Sequence, residues 1–196
     1  MDIILGSAST RRKEILEYFS LPFTQASSNF DESSIPFTHD PVEYVQELAL
    51  AKGKSLSTSH PNALIITADT DVYIDGTILG KPKNEQEAYS LLSLLSGRWH
   101  SVFTAIALTH KSHSIIGVEE TKVLCNVLTP QDMQRAYKKH ALCNKAGSYA
   151  VQKSASIFIK KIDGCYYNVM GFPINTFKNL LLHYQIDLWD YLKEID

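Results

Sequence analysis

Short apolar runs alternate with amphipathic stretches along this chain of 196 residues. Residues 2–5 hold Ile3, Ile4 and Leu5 in succession and predict a buried strand. Ile15, Leu16, Tyr18 and Phe19 then recur at helical spacing, which predicts a helix over 10–19. A polar, turn-rich stretch fills 22–41. Residues 41–57 predict a helix with Val42, Val45, Leu48, Ala49 and Leu56 on its apolar side. The apolar, partly β-branched run 63–68 predicts a buried strand, and 72–74 and 77–79, joined at Asp75-Gly76, predict a hairpin. Asn84 as cap, with Glu85 and Glu87 in the first turn, opens a helix over 84–95 that Gly97 closes. Residues 100–108 and 114–128 predict two longer strands, and Thr129-Pro130 opens a helix to about 140. A strand over 155–162, a helix over 173–184 and a short helix near Trp189 follow. The mixture predicts an α/β architecture of long, curved strands with helices packed against them.

Composition narrows the class. The length and a 44% hydrophobic content suit one domain over residues 1–196, with room for two lobes. The net charge of −2 and the lack of a long basic stripe argue against a nucleic-acid footprint. Cys125, Cys143 and Cys165 are odd in number and have no CxxC spacing, which predicts free, core-filling thiols in a reducing compartment. No run of about 18 apolar residues predicts a membrane span. The first 20 residues carry Asp2, Glu14 and Glu17 and have no signal-peptide core, so a cytoplasmic protein is expected. There is no repeat, low-complexity tract or obvious linker.

Two constellations carry candidate chemistry. In the first, the strand at 2–5 runs into Gly6, Ser7, Ala8 and Ser9, and then Arg11, Arg12 and Lys13 head a helix. Cations there oppose the helix dipole at a cost of about 0.3–1 kcal/mol each. A strand, a loop of small residues and a helix N-terminus also form the geometry that cradles phosphate. The serines can donate hydroxyl hydrogen bonds and the arginines can grip phosphate in bidentate fashion. The residues alone leave two readings open, a solvated basic turn paired with Glu14 or Glu17 and a polyphosphate loop. The second constellation is ALIITADTDVYIDGTILGKP. It places Asp69 and Asp71 at the end of an apolar strand, where a divalent cation and an attacking water would be held. Lys81 follows in Gly-Lys-Pro, and Glu32 and Lys52 lie on flanking segments. Taken singly, each of these has an ordinary reading as a turn residue or a solvated charge.

Five blocks, in order along nearly the whole chain, resemble one family. SASTRRKEIL is similar to S-x-S-P-R-R-x-x-L-L, the N-terminal signature of the Maf nucleoside triphosphate pyrophosphatases. ADTDVYIDGTILGKP, LLSLLSGRWHSVFTAIAL, NKAGSYAVQ and YYNVMGFPI resemble the family's later blocks. The resemblance implies a two-lobed fold like that of the inosine-triphosphate pyrophosphatases, with a long mixed, curved sheet, flanking helices and a central cleft. It implies hydrolysis of a nucleoside triphosphate to the monophosphate and pyrophosphate, with a divalent metal such as Mg, Mn or Co. On this resemblance Asp69 is catalytic, and Glu32 and Asp69 hold the metal. Ser7, Ser9, Arg11, Arg12, Lys52, Thr70, Lys81 and Gln152 bind substrate, with Arg11, Thr70 and Gln152 at the specificity positions. Lys145, Ala146, Gly147, Tyr149 and Gln152 match the branch favouring dTTP and UTP, and an amide donor and acceptor at Gln152 suits the 4-carbonyl and N3–H edge of a pyrimidine.

Some positions depart from the pattern. Thr10 stands for the usual proline, Asp71 for an apolar residue, Asn144 for Asp and Lys153 for Gly, and Trp99 is bulky where a smaller residue is common. The alternatives are a pyrophosphatase for 7-methyl-GTP or for modified nucleotides, and a non-catalytic nucleotide- or partner-binding regulator of cell division. A nucleoside triphosphate is the expected partner, a homodimer is allowed, and neither nucleic acid nor membrane is expected.

Overall fold

A computed structural model of the chain describes residues 1–139 and 151–194. The elements in order are β1 (Ile3–Gly6), α1 (Thr10–Leu16), β2 (Thr24–Ala26), α2 (Pro41–Ser57), β3 (Leu64–Ile74), β4 (Thr77–Leu79), α3 (Glu85–Leu95), β5 (Trp99–His110), β6 (His113–Cys125), α4 (Pro130–Lys139), β7 (Ile159–Asp163), α5 (Tyr166–Val169) and α6 (Ile174–Leu181). The strands form one seven-stranded mixed sheet in the order β2-β1-β3-β5-β6-β7, with β4 also paired to β3. β1 runs parallel to β2 and β3, whereas β3, β5, β6 and β7 are successively antiparallel. The sheet is thus mixed and flanked by helices, as the sequence implied.

Strand β3 passes through the middle of the sheet and sorts its side chains by parity. Leu64, Ile66, Ala68, Val72 and Ile74 join Ile15, Leu16, Leu92, Leu95 and Phe177 in the main core. On the opposite face, helix α2 lays Val45 and Ala49 against Phe103, Ala105 and Ala107 of β5. Odd-numbered positions of β3 therefore face α2, and even-numbered ones face α1 and the main core. Burial on both faces accounts for the unbroken apolar run that opens the strand.

Several boundaries differ from the sequence pattern. The helix expected over 10–19 closes at Leu16, and Tyr18 and Phe19 donate to carbonyls three residues back. The strand expected from 155 begins at Ile159, after a 3-10 helix over Lys153–Phe158. Ala155 and Phe158 are the buried residues there, and their spacing of three is that of a 3-10 turn. The last long helix divides into α6 and a 3-10 turn over Leu182–Tyr184, closed by Gln185 at φ 59°. The hairpin forms as expected, with Asp75 and Gly76 both at positive φ, but its first strand is continuous with β3. Cys125 and Cys165 are free thiols, and burial pushes the Cys125 thiol up to about 12. Cys143 lies outside the described residues. Trp99 sits exposed at the start of β5 with the Lys161 ammonium 5.7 Å from its ring centroid, a cation–π contact. Among the described residues, no helix is long and apolar enough to cross a membrane.

Candidate active site

The parity of β3 turns Asp69 toward α2, and α2 answers with a lysine on its buried side. Lys52 falls one turn after Leu48 and one before Leu56, so helical spacing places it among buried residues. Lys52 Nζ lies 2.5 Å from Asp69 Oδ1 and 2.7 Å from Glu32 Oε1. Asp69 and Lys52 are both buried, while Glu32 reaches in from an exposed 3-10 turn that Asp31 caps. Burial works against the Glu32 charge, yet the Lys52 hydrogen bond and charge, with Lys81 and Arg12 beyond, hold its carboxyl below the ordinary range. Asp71 shares the Asp69 side of the strand. Burial, the Asp69 charge and a hydrogen bond to Asp69 push its carboxyl well above the usual carboxylate range.

Glu32 and Asp69 thus converge on one point, where the Lys52 ammonium stands in this structure. Hard cations of the Mg type are held by one or two carboxylates together with substrate phosphates, not by an all-protein cage. The donor set fits such a cation in type and number. Among the described residues, no group of three or more His, Cys, Asp or Glu side chains forms a cage of its own.

The other face of β3 carries Thr70, and here Arg12 is anchored. Its Nε donates to the Gly171 carbonyl at 2.9 Å, Nη1 to the Ala68 carbonyl at 2.9 Å and to Ser7 Oγ at 3.3 Å, and Nη2 to Thr70 Oγ1 at 2.9 Å. Burial pulls this guanidinium below the ordinary arginine value, against the pull of the Asp69 charge. Arg12 therefore binds the loop after β1, strand β3 and the segment after α5 into one unit. Its partners are carbonyls and hydroxyls of the protein. Arg11, half-buried, is likewise lowered by burial, with Glu14 opposing, and no hydrogen bond of its side chain is present among the described residues. Ser9 caps α1 by accepting from Arg12 N at 3.4 Å, and Ser7 Oγ accepts from Ser9 N at 3.3 Å. Lys13 pairs with Glu17 at 3.5 Å, the solvated pairing open to a basic turn.

All the expected site residues except Arg11 and Gln152 thus gather in two groups on either side of one strand. Asp69, Lys52 and Glu32, with Lys81 near by, form the first, and Ser7, Ser9, Arg12 and Thr70 form the second. Gln152 lies at the start of the 3-10 helix Lys153–Phe158, and among the described residues its amide makes no hydrogen bond to either group. Residues 144–149, which carry the Lys-Ala-Gly and Tyr149 part of its motif, lie outside the described residues. Four contributors had no assigned role in the sequence. Gln25 Nε2 donates to the Ser7 carbonyl at 2.6 Å and steadies the loop. Thr104, Asn168 and Gly171 support Thr70 and Arg12 from behind. The signal for the last three was their place inside the blocks VFTAIAL and YYNVMGFPI, which the apolar pattern alone reads as core.

The chain is similar to several known proteins. The chain is 44% identical over 191 residues to the dTTP/UTP pyrophosphatase of Chlamydia felis (strain Fe/C-56), covering 97% of each chain. It is 41% identical over 191 residues to the protein of the same name from Chlamydia trachomatis serovar D, again at 97% of each. It is 40% identical over 193 residues to a nucleoside triphosphate pyrophosphatase of Chlamydia pneumoniae, covering 97% of this chain and 98% of that one. Among solved structures, the Staphylococcus aureus Ham1 protein matches 64% of this chain and 72% of its own at 12% identity and a TM-score of 0.45. Residues 2–184 match the family model described as Maf-like protein, and with relatives of this identity over nearly its whole length the chain belongs to the Maf family.

Proposed function

We propose that this protein hydrolyses dTTP and UTP to the nucleoside monophosphate and pyrophosphate. The observation that carries the reading is the buried Lys52 ammonium held between the carboxylates of Asp69 and Glu32, with Asp69 midway along β3 and not at the strand end that the sequence suggested. Family membership and the names of the relatives supply the reaction class and the bases. The triphosphate lies along the loop of Ser7 and Ser9, where free amides, hydroxyls and Arg11 meet its oxygens. Lys52 and Lys81 take up charge on the departing side. Asp69 orients a water and accepts its proton as the water oxygen bonds to the α-phosphorus. The bond from that phosphorus to the bridging oxygen breaks, and pyrophosphate leaves with the electron pair. Phosphoryl chemistry of this kind rests chiefly on positioning and electrostatics. A divalent cation, Mg, Mn or Co, bound by Asp69 and Glu32 would supply Lewis-acid polarisation and a more acidic water. Gln152 meets the edge of the base, and Arg12 positions Thr70 and the loop. All residues 1–196 act as a single cytoplasmic domain in this reading.

The test is pyrophosphate release from dTTP, UTP, CTP, ATP, GTP and 7-methyl-GTP, each with Mg, Mn or Co. Preferred cleavage of UTP and dTTP is the expected result. A preference for 7-methyl-GTP would move the protein to the other branch, and nucleotide binding without release would make it a sensor.

A further inference from the structure

Thr70 and Thr104 face each other in register across the β3–β5 ladder. Their Oγ1 atoms are 3.0 Å apart, and they belong to a longer chain of hydrogen bonds. Arg12 Nη2 donates to Thr70 Oγ1 at 2.9 Å, and Thr104 Oγ1 donates to the Asn168 carbonyl at 3.0 Å. Asn168 is itself pinned, since its Nδ2 donates to the Val102 carbonyl and to Thr121 Oγ1, both at 2.9 Å.

One direction satisfies every bond of this chain, and the other loses one. A threonine hydroxyl has a single proton. A guanidinium cannot accept, so the Thr70 proton has only Thr104 as its acceptor within the chain. A carbonyl cannot donate, so the bond to Asn168 uses the Thr104 proton. All the bonds form together only when the donors run from Arg12 to Thr70, from Thr70 to Thr104, and from Thr104 to the Asn168 carbonyl. Thr104 and Asn168 are both 0% exposed, so reversing the chain would give up one buried hydrogen bond and leave the Asn168 carbonyl with the Gly171 N–H, 2.8 Å away, as its donor. Thr70 is only half-buried, and it keeps a lone pair after accepting from Arg12. Gly171 stands beside it without a side chain, at φ 98°, and a Cβ there would come within 3.1 Å of Thr70 Oγ1.

We infer that Thr104 is a positioning residue for base selection: by taking the Thr70 proton, it leaves Thr70 able to meet the nucleotide only as a hydrogen-bond acceptor. An acceptor selects a donor. Uracil and thymine carry N3–H, whereas cytosine presents a lone pair at the same ring position. A Thr70 locked in this polarity accepts from the imide and repels cytosine, and the Gln152 amide N–H then serves the 4-carbonyl. The inference rests on the reading of the protein as a dTTP/UTP pyrophosphatase.

The experiment compares kcat/KM for UTP and CTP in the parent, Thr104→Val, Thr104→Ser, Thr70→Val and the Thr70→Val/Thr104→Val pair, each checked by thermal unfolding. Thr104→Val frees the Thr70 proton. It should lower the UTP:CTP ratio at least about fivefold, the worth of one neutral hydrogen bond, through KM more than kcat. Thr104→Ser keeps the acceptor and should keep the ratio. In the Thr70→Val background, Thr104→Val should change the ratio no further. Equal losses for UTP and CTP, or a further drop in the Thr70→Val background, would overturn the assignment. Thr104→Ala, which removes the same acceptor, replaces Thr104→Val if that variant does not fold. Titration calorimetry with UTP and CTP without added metal reads the same ratio as binding constants. A parent that binds UTP but releases no pyrophosphate would therefore contradict the catalytic reading and still decide the role of Thr104.

Discussion

Two adjacent arginines of the same sequence signature have opposite fates. Arg11 keeps a half-buried side chain near the mouth of the loop, while Arg12 is fastened to Ser7, Ala68, Thr70 and Gly171. The helix dipole argument applied equally to both and asked what offsets their misplaced charge. For Arg12 the answer is the protein itself. Arg12→Gln should therefore lower stability without ligand, by about 1.5–3 kcal/mol for the loss of charge-assisted bonds, as well as activity. Arg11→Gln should leave the melting temperature unchanged or slightly higher and raise KM for UTP. Thermal unfolding and pyrophosphate-release kinetics on the two variants check this pair, and equal melting losses would contradict it. Adjacent helical residues point about 100° apart, so the sequence showed that their roles must differ but not which arginine turned inward. Lys52 was more legible: a lysine on the buried stripe of α2 asks for a partner, and Asp69 on the facing strand supplies it. Gln152 stays an assignment by motif.

Helix α2 is the element that delivers Lys52, and its fit against the sheet is close. A Cβ at Gly53 would lie 2.6 Å from Thr109 Oγ1 and 3.2 Å from Thr67 Oγ1. Alanine is better than glycine in a helix by about 1 kcal/mol, but overpacking a core costs about 1–3 kcal/mol. Overpacking should win, because Thr67 is already engaged by the Ala49 carbonyl at 2.7 Å and cannot swing away freely. Gly53→Ala should therefore lower the melting temperature, and a shifted helix should reduce turnover by displacing the neighbouring Lys52. A more stable Gly53→Ala variant would contradict the packing account, and denaturant unfolding measures it. Elements with strong periodicity, such as α2, α3 and the β5–β6 pair, were legible in the sequence. Two of the shortest were not. Strand β2 has three residues and little buried side chain to set a pattern, and α5 has four. The 3-10 turn before β7 hid behind an apolar tract that also suits a strand.

At the scale of the whole molecule, the sheet carries a titrating group of its own. His100 on β5 is 4% exposed, and burial lowers its pKa from 6.5 to about 4. Between these values the unfolded chain binds the proton and the folded one does not, so the His100 contribution to stability rises with pH through this window. At about 1.4 kcal/mol per pH unit, the full span amounts to about 3 kcal/mol. Asp71, with its raised carboxyl, acts in the opposite sense as pH rises above the ordinary aspartate range. The comparison is therefore between the parent and His100→Asn, and the parent should lose more stability than the variant between about pH 6.5 and 4. Parallel denaturant-derived pH profiles would contradict it. The α/β class and its long strands followed from alternation and the run lengths. The order of the sheet did not, because parallel pairing of β1 with both β2 and β3 depends on crossovers that leave no local mark.

The central claim is that a water prepared at Asp69 attacks the α-phosphorus of UTP or dTTP. Hydrolysis of UTP in water labelled with heavy oxygen, followed by mass spectrometry of both products, tests it most directly. The account predicts label in UMP and none in pyrophosphate, with Asp69→Asn folded but slower by at least about a hundredfold, as expected for loss of a general base. Label in pyrophosphate or inorganic phosphate, or near-parent turnover by a folded Asp69→Asn protein, would contradict it.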